Sequence, residues 1–202
     1  MIMKTFRVLA TLGFVLLAAG CKESVTEPPP VESTLPIHTI TNIPADTGSV
    51  AKYTYFSLRD SSIITGSDTA TVKWDLAFAA TTIRTNSGTS GPGQGGAIVL
   101  SGTDFDTVSQ AMASGYSVDT SATKLAITTG SDKGWYHYDF ATNIITPIAG
   151  RVLIIRTADG RYAKMQIVSY YKDAPVTPTQ NDISRFYTFR YVFQPDGSTT
   201  LR

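Results

Sequence analysis

From Tyr187 to Phe193 every second residue is aromatic. Tyr187, Phe189, Tyr191 and Phe193 fall on one side of an extended chain, with Thr188 and Arg190 on the other. A period-two run of this kind fits a strand, not an amphipathic helix, and it predicts Arg185–Phe193 as a strand with its aromatic side in a core. Upstream the pattern recurs in shorter, β-branched or aromatic runs bounded by Gly, Pro, Asn and Ser-Thr clusters. These predict strands at Val50–Leu58, Thr71–Phe78, Ala97–Leu100, Gly115–Asp119, Lys124–Thr128, Gly134–Phe140, Arg151–Arg156 and Arg161–Tyr171. The last two, joined by Thr157-Ala158-Asp159-Gly160, read as a β-hairpin with Asp-Gly turn chemistry. One helix is expected over Phe105–Ala113, capped by Thr103 or Asp104, with Phe105, Val108 and Met112 at helical spacing. Trp74, Met112 and Met165 are expected in the core. The expected class is all-β: a single domain of mainly antiparallel sheet over residues 48–202, with one or two short helices.

The first 47 residues do not belong to that pattern. Lys4 and Arg7 precede an apolar run from Val8 to Ala19, and Leu17-Ala-Ala-Gly-Cys21 follows. A basic start, a short apolar stretch and small residues at its end make a secretory signal over residues 1–20. The run is shorter than the ~20 residues a membrane-spanning helix needs. Leu-Ala-Ala-Gly-Cys resembles the bacterial lipobox, in which the chain is cut before the cysteine and the thiol is acylated; Cys21 is therefore the expected lipid anchor. Residues 21–47, with three consecutive prolines at Pro28–Pro30, are expected to be a stiff, polar tether carrying a solvated His38. Lys22 and Glu23 after the cysteine resemble the surface-export signal of Bacteroidota lipoproteins, which implies an outer-membrane, cell-surface location.

Composition narrows the chemistry. Seventeen Lys and Arg against 16 Asp and Glu give a near-neutral chain, without the basic face that nucleic-acid binding requires. One Cys excludes an internal disulfide, and with only His38 and His137 it cannot complete a structural zinc site. No nucleophile–base pair can be assembled from the sequence, so no enzymatic activity is expected.

The densest local feature is Asn86-Ser-Gly-Thr-Ser-Gly-Pro-Gly-Gln-Gly-Gly-Ala97. A phosphate-cradling loop would need a helix next, and Ala97–Leu100 reads as strand instead. No Gly-x-Ser-x-Gly elbow occurs either. The segment is expected to be a tight surface loop using glycine for positive φ.

Several collinear segments together resemble the HmuY family: Lys73-Trp-Asp-Leu-Ala-Phe78, the glycine-rich Thr85–Ala97, Gly115-Tyr-Ser-Val-Asp119, Trp135, Arg151–Tyr171, and Tyr187-Thr-Phe-Arg-Tyr191. The resemblance covers roughly residues 50–195. It implies an all-β, secreted or lipid-anchored protein that binds haem at the surface of Bacteroidota-type bacteria and passes it to a TonB-dependent outer-membrane receptor. It also implies two axial histidines, one in an insertion before the Trp and one shortly after it. This chain departs from that pattern. Thr120–Gly134 is short and contains no His, the second position falls near Phe140 or Ala141, and no Met lies between residues 113 and 164.

The residues themselves leave His137, within Trp135-Tyr136-His137-Tyr138, as the foremost candidate for haem iron. Tyr136 and Tyr138 are weaker candidates. Alternation would put His137 beside Trp135 on one face and the two tyrosines on the other. Two readings stand: a haem-binding lipoprotein, or a family scaffold without haem that serves as a surface binding or assembly module.

Overall fold

The computed structural model describes residues 34–45 and 52–202. The leader, Cys21 and most of the expected tether lie outside the described residues.

Eleven strands form three antiparallel sheets among the described residues. The largest contains β1 (Ile37–Pro44), β6 (Gly96–Leu100), β9 (Val152–Arg156), β10 (Tyr162–Tyr171) and β11 (Ser184–Gln194), in the order β1-β11-β10-β9-β6. The second contains β2 (Thr54–Ser57), β3 (Ser62–Ile64), β4 (Leu76–Ala79) and β5 (Thr82–Thr85), in the order β3-β2-β4-β5. The third is the hairpin of β7 (Tyr136–Asp139) and β8 (Ile144–Pro147). The all-β, antiparallel class read from the sequence is the one found.

The aromatic alternation of β11 is the organising element. Tyr187, Phe189, Tyr191 and Phe193 enter a core shared with Phe56, Leu76, Phe78 and Ile83 of the second sheet. Phe78 lies 4.8 Å from Tyr187 and 5.6 Å from Phe189, between ring centroids, and Phe56 meets Phe189 edge-on at 5.4 Å. The opposite face of the large sheet is also covered: Val152, Ile154 and Val192 pack with Phe105, Val108, Ala111 and Leu201. Burial on both sides explains why Val152-Leu-Ile-Ile155 is continuously apolar and does not alternate. Trp74 and Met165 are fully buried, and Met112 packs against the second cluster, as expected.

The Thr157–Gly160 turn closes the expected β9–β10 hairpin, with Gly160 at φ +84° and its N–H donated to the Thr157 carbonyl at 3.0 Å. Two expectations fail. Of the expected helix only Phe105–Thr107 is helical, as a single 3-10 turn capped by the Asp104 carboxylate; a second 3-10 turn lies at Gly66–Ala70. Past Thr107, the Ala111 N–H donates to the Thr199 carbonyl and Gln110 bridges Thr200, so the apolar residues at helical spacing serve an extended segment pinned by the C-terminus. Gly115–Asp119 and Lys124–Thr128 contribute isolated bridges and no strand.

The tether reading also needs correction over residues 37–44. This segment is β1, an edge strand paired to β11, with Ile43 and Ala45 buried. His38 is not a solvated tether residue: its ring stacks on Tyr191 at 4.9 Å. A bulge between Ile40 and Ile43 places Asn42 at φ +58°. From there its amide exchanges two hydrogen bonds with Asp173, donating to Oδ1 at 2.8 Å and accepting the backbone N–H at 2.7 Å.

Candidate functional site

The glycine-rich segment is a structural knot and not a ligand loop. Asn86 is fully buried at its centre. Its amide donates to the Thr71 and Trp74 carbonyls at 2.9 and 2.8 Å and accepts the Gly93 N–H at 2.9 Å. The loop winds around this side chain so closely that a Cβ on Gly91 would lie 2.2 Å from Asn86 Oδ1. Gly88 takes positive φ, as expected, but Gly91, Gly93, Gly95 and Gly96 are required for close approach. Asp119, also fully buried, ties the next segment in by accepting the Thr85 and Ala126 N–H groups at 3.1 and 2.7 Å.

His38 stands near Ser61, Oγ to Nδ1 at 3.5 Å, which invites a nucleophile–base reading. The hydrogen bonds argue against it. Tyr191 spends its O–H on the Leu58 carbonyl at 2.8 Å, so Ser61, 2.6 Å from Tyr191 Oη, must donate there. The Ser61 proton is not directed at the imidazole.

The β7–β8 hairpin carries the candidate binding residues, and it sorts them differently from simple alternation. Trp135 precedes β7 and is buried, its indole N–H donated to the Thr81 carbonyl at 3.0 Å. Tyr136 is buried in the main core at 8% exposure. Tyr138 packs against that core and donates its hydroxyl to Asn143 Oδ1 at 2.6 Å. His137 alone points outward, half of its side chain exposed. The shared face expected for Trp135 and His137 does not form: Trp135 and Tyr136 are both buried, and His137 is exposed.

His137 lines an open groove of about 610 Å³, within the range of small-molecule sites. One wall is the hairpin, with Ile144 and Thr146; the other is the loop at Thr177–Gln180. That loop is fastened to the hairpin by Gln180, whose amide donates to the Thr142 carbonyl at 2.8 Å. It is braced internally by Asp182, which accepts the Thr179 N–H at 2.7 Å and its hydroxyl at 2.8 Å.

Asp132, a residue the sequence reading did not single out, completes the site. Its Oδ1 lies 2.8 Å from His137 Nδ1. The hydrogen bonds from His137 and then Ser131 hold the carboxyl below the usual carboxylate range, so it is ionised and can only accept. Nδ1 therefore carries a proton, and Nε2 has no hydrogen-bond partner among the described residues. An imidazole oriented by a carboxylate, with its second nitrogen open, is the donor arrangement of metal-binding histidines. It fits a haem iron. Among the described residues no second His, Met, Cys or Tyr lines the groove: Met165 and Tyr136 are in the core, and Met112 packs on the other side of the large sheet. Among the described residues, no cluster of three or more His, Cys, Asp or Glu could hold a bare metal ion.

The fold and site thus define a β-sandwich protein with a surface groove headed by one imidazole. The sequence matches the HmuY protein family over residues 49–191, and the chain belongs to that family. Among solved structures, the apo HmuY analog of Tannerella forsythia aligns with TM-score 0.52 and 20% identity, covering 79% of this chain and 98% of that one. A candidate lipoprotein of Bacteroides fragilis aligns with TM-score 0.49 and 22% identity, over 77% and 90% of the two chains. A candidate HmuY-like heme-binding protein of Bacteroides vulgatus aligns with TM-score 0.49 and 18% identity, over 77% and 91%. No curated protein is similar enough in sequence to count as a relative.

Proposed function

We propose that this protein is a cell-envelope lipoprotein, anchored through Cys21 to the outer membrane, that binds haem through His137 and hands it to an outer-membrane receptor. One observation carries the reading: His137 stands at an open groove with Nδ1 held by Asp132 at 2.8 Å and Nε2 available. Ile144, Ala141 and Pro178 supply apolar contact for a flat macrocycle, and family membership supports the ligand class. It is a binding protein rather than an enzyme. The test is titration of the purified domain with haemin. A Soret band that saturates at one equivalent and is lost in His137→Ala supports the proposal; no spectral change with the native chain at micromolar haemin overturns it.

The second reading is a scaffold that binds a partner without haem. The observation favouring it is Phe140 at the tip of the same hairpin, 82% exposed and edge-on to Tyr138 at 4.8 Å. Under this reading haemin leaves the absorption spectrum unchanged, and Phe140→Ser, not His137→Ala, abolishes capture of the partner.

A further inference from the structure

Asp132 is not placed by chance. It sits at φ +65°, in the left-handed region, and its N–H donates to the Tyr136 carbonyl at 2.8 Å. Its second oxygen accepts the Ser131 hydroxyl at 2.8 Å, and Ser131 Oγ in turn accepts the Tyr138 N–H at 2.9 Å. Backbone groups on either side of His137 thus fix the carboxylate that faces its ring. Position, backbone conformation and both carboxylate oxygens are committed to one geometry.

We propose that Asp132 is a positioning residue that makes His137 a single, electron-rich axial ligand. The inference rests on the haem reading above and specifies what kind of site it would be. The carboxylate fixes the Nδ1–H tautomer, orients the ring and raises the donor strength of Nε2. Because no second His, Met, Cys or Tyr lines the groove among the described residues, a haem held there has one protein nitrogen and an open opposite face. A strong anionic partner on the ligand's far nitrogen favours ferric iron over ferrous. The site therefore retains oxidised haem, and its second axial position accepts small exogenous ligands such as imidazole.

The substitutions Asp132→Asn and Asp132→Ala separate charge from position. Asparagine still accepts from Nδ1 but carries no charge; alanine does neither. With the native chain, haemin is expected to give a high-spin ferric spectrum that turns low-spin when imidazole is added. Asp132→Asn should keep haemin affinity within a few-fold while its midpoint potential moves upward; Asp132→Ala should lose about 10-fold or more in affinity. If the native complex is low-spin without added ligand, or if the potential is the same with Asp132→Asn, the inference fails and haem binding stands. If the native chain takes up no haemin, both fail. Nitrogen NMR of the haem-free native protein gives an independent check, since a proton on Nε2 of His137 in place of Nδ1 overturns the inference whatever the titrations show.

Discussion

The side-chain carbonyl of Asn86 accepts the backbone N–H of Gly93 at 2.9 Å, while the same amide donates to the carbonyls of Thr71 and Trp74. A single buried side chain therefore satisfies three backbone groups from two segments, the Thr71–Trp74 turn and the glycine-rich loop. Asn86→Ala would leave all three without this partner in a largely buried site. Each unmet group costs on the order of 1–3 kcal/mol, partly relieved by local rearrangement, so a loss of about 3 kcal/mol is expected. For a domain of this size that lowers the melting temperature by roughly 10 °C. Differential scanning calorimetry checks it; a shift of under about 2 °C would show that Asn86 is not the centre of the knot.

Gly88 and Gly66 form a controlled pair. Both have positive φ, +52° and +64°. A Cβ on Gly66 meets nothing within 4 Å, whereas on Gly88 it would lie 2.0 Å from the Asp119 carbonyl oxygen. Gly66→Ala should cost only the backbone term, about 1 kcal/mol. Gly88→Ala must in addition displace the Asp119 backbone, to which the Thr89 N–H donates at 2.8 Å. Its unfolding midpoint in urea should fall by at least twice as much as that of Gly66→Ala. Equal midpoints would mean that the loop can shift freely.

Much of this architecture is legible in the sequence, and the failures have physical causes. The β11 stripe and the β9–β10 hairpin are readable because period-two patterning and Asp-Gly chemistry are local signals. Phe105–Ala113 carries apolar residues at helical spacing but extends, because the C-terminal segment offers its backbone as a partner, a tertiary effect that spacing cannot reveal. β1 is hidden because an edge strand after a proline-rich stretch needs few apolar residues; only Ile43 within it is fully buried. At the site, His137 is readable as a lone imidazole among aromatics. Asp132 is not: it reaches the ring only because the backbone reverses at φ +65°. The signal that existed was Ser131-Asp132 five residues upstream, in a segment that reads as ordinary turn.

Asp75 gives a pH signature. It is nearly buried, and its carboxylate accepts the Leu58 and Ala158 N–H groups at 2.8 and 2.9 Å. Burial nevertheless pushes its pKa above the ordinary 3.8, outweighing those two bonds and the nearby Arg59. The folded-state value therefore exceeds the unfolded one. Its contribution to stability is complete below the unfolded pKa and declines as pH rises through the raised value. Compared with Asp75→Asn, the native protein should be relatively most stable in acid, and the gap should narrow on the way to neutrality. Urea melts of both chains from acid to neutral pH test the sign. A gap that widens with pH would contradict it.

Tyr136 and Tyr138 flank His137 in sequence, yet one is buried in the core and the other spends its hydroxyl on Asn143. If His137 is the haem ligand, Tyr138→Phe should leave the position and intensity of the haemin Soret band unchanged. Tyr136→Phe should do the same, with at most a small change in melting temperature. Loss of the band in either variant would move the ligand assignment to a tyrosine.

The edge strand β1 yields the last prediction. His38 stacks on Tyr191, Ile43 and Ala45 are buried, and the Ala45 N–H donates to the Arg185 carbonyl at 2.8 Å. Without β1, β11 would become the sheet edge, presenting a long, unpaired and largely apolar strand to solvent. Two chains separate anchoring from folding: one begun at Thr34 and one begun at Asp46. The first should melt at the temperature of the chain begun at Cys21, since it keeps every β1–β11 pair. The second loses the stack, worth about 0.5–1.5 kcal/mol beyond burial, and the covered edge as well. It should be recovered largely as aggregate, or as a species melting well below the first. If both chains are soluble and melt together, β1 contributes nothing to the domain, and the boundary between tether and fold belongs after Ala45.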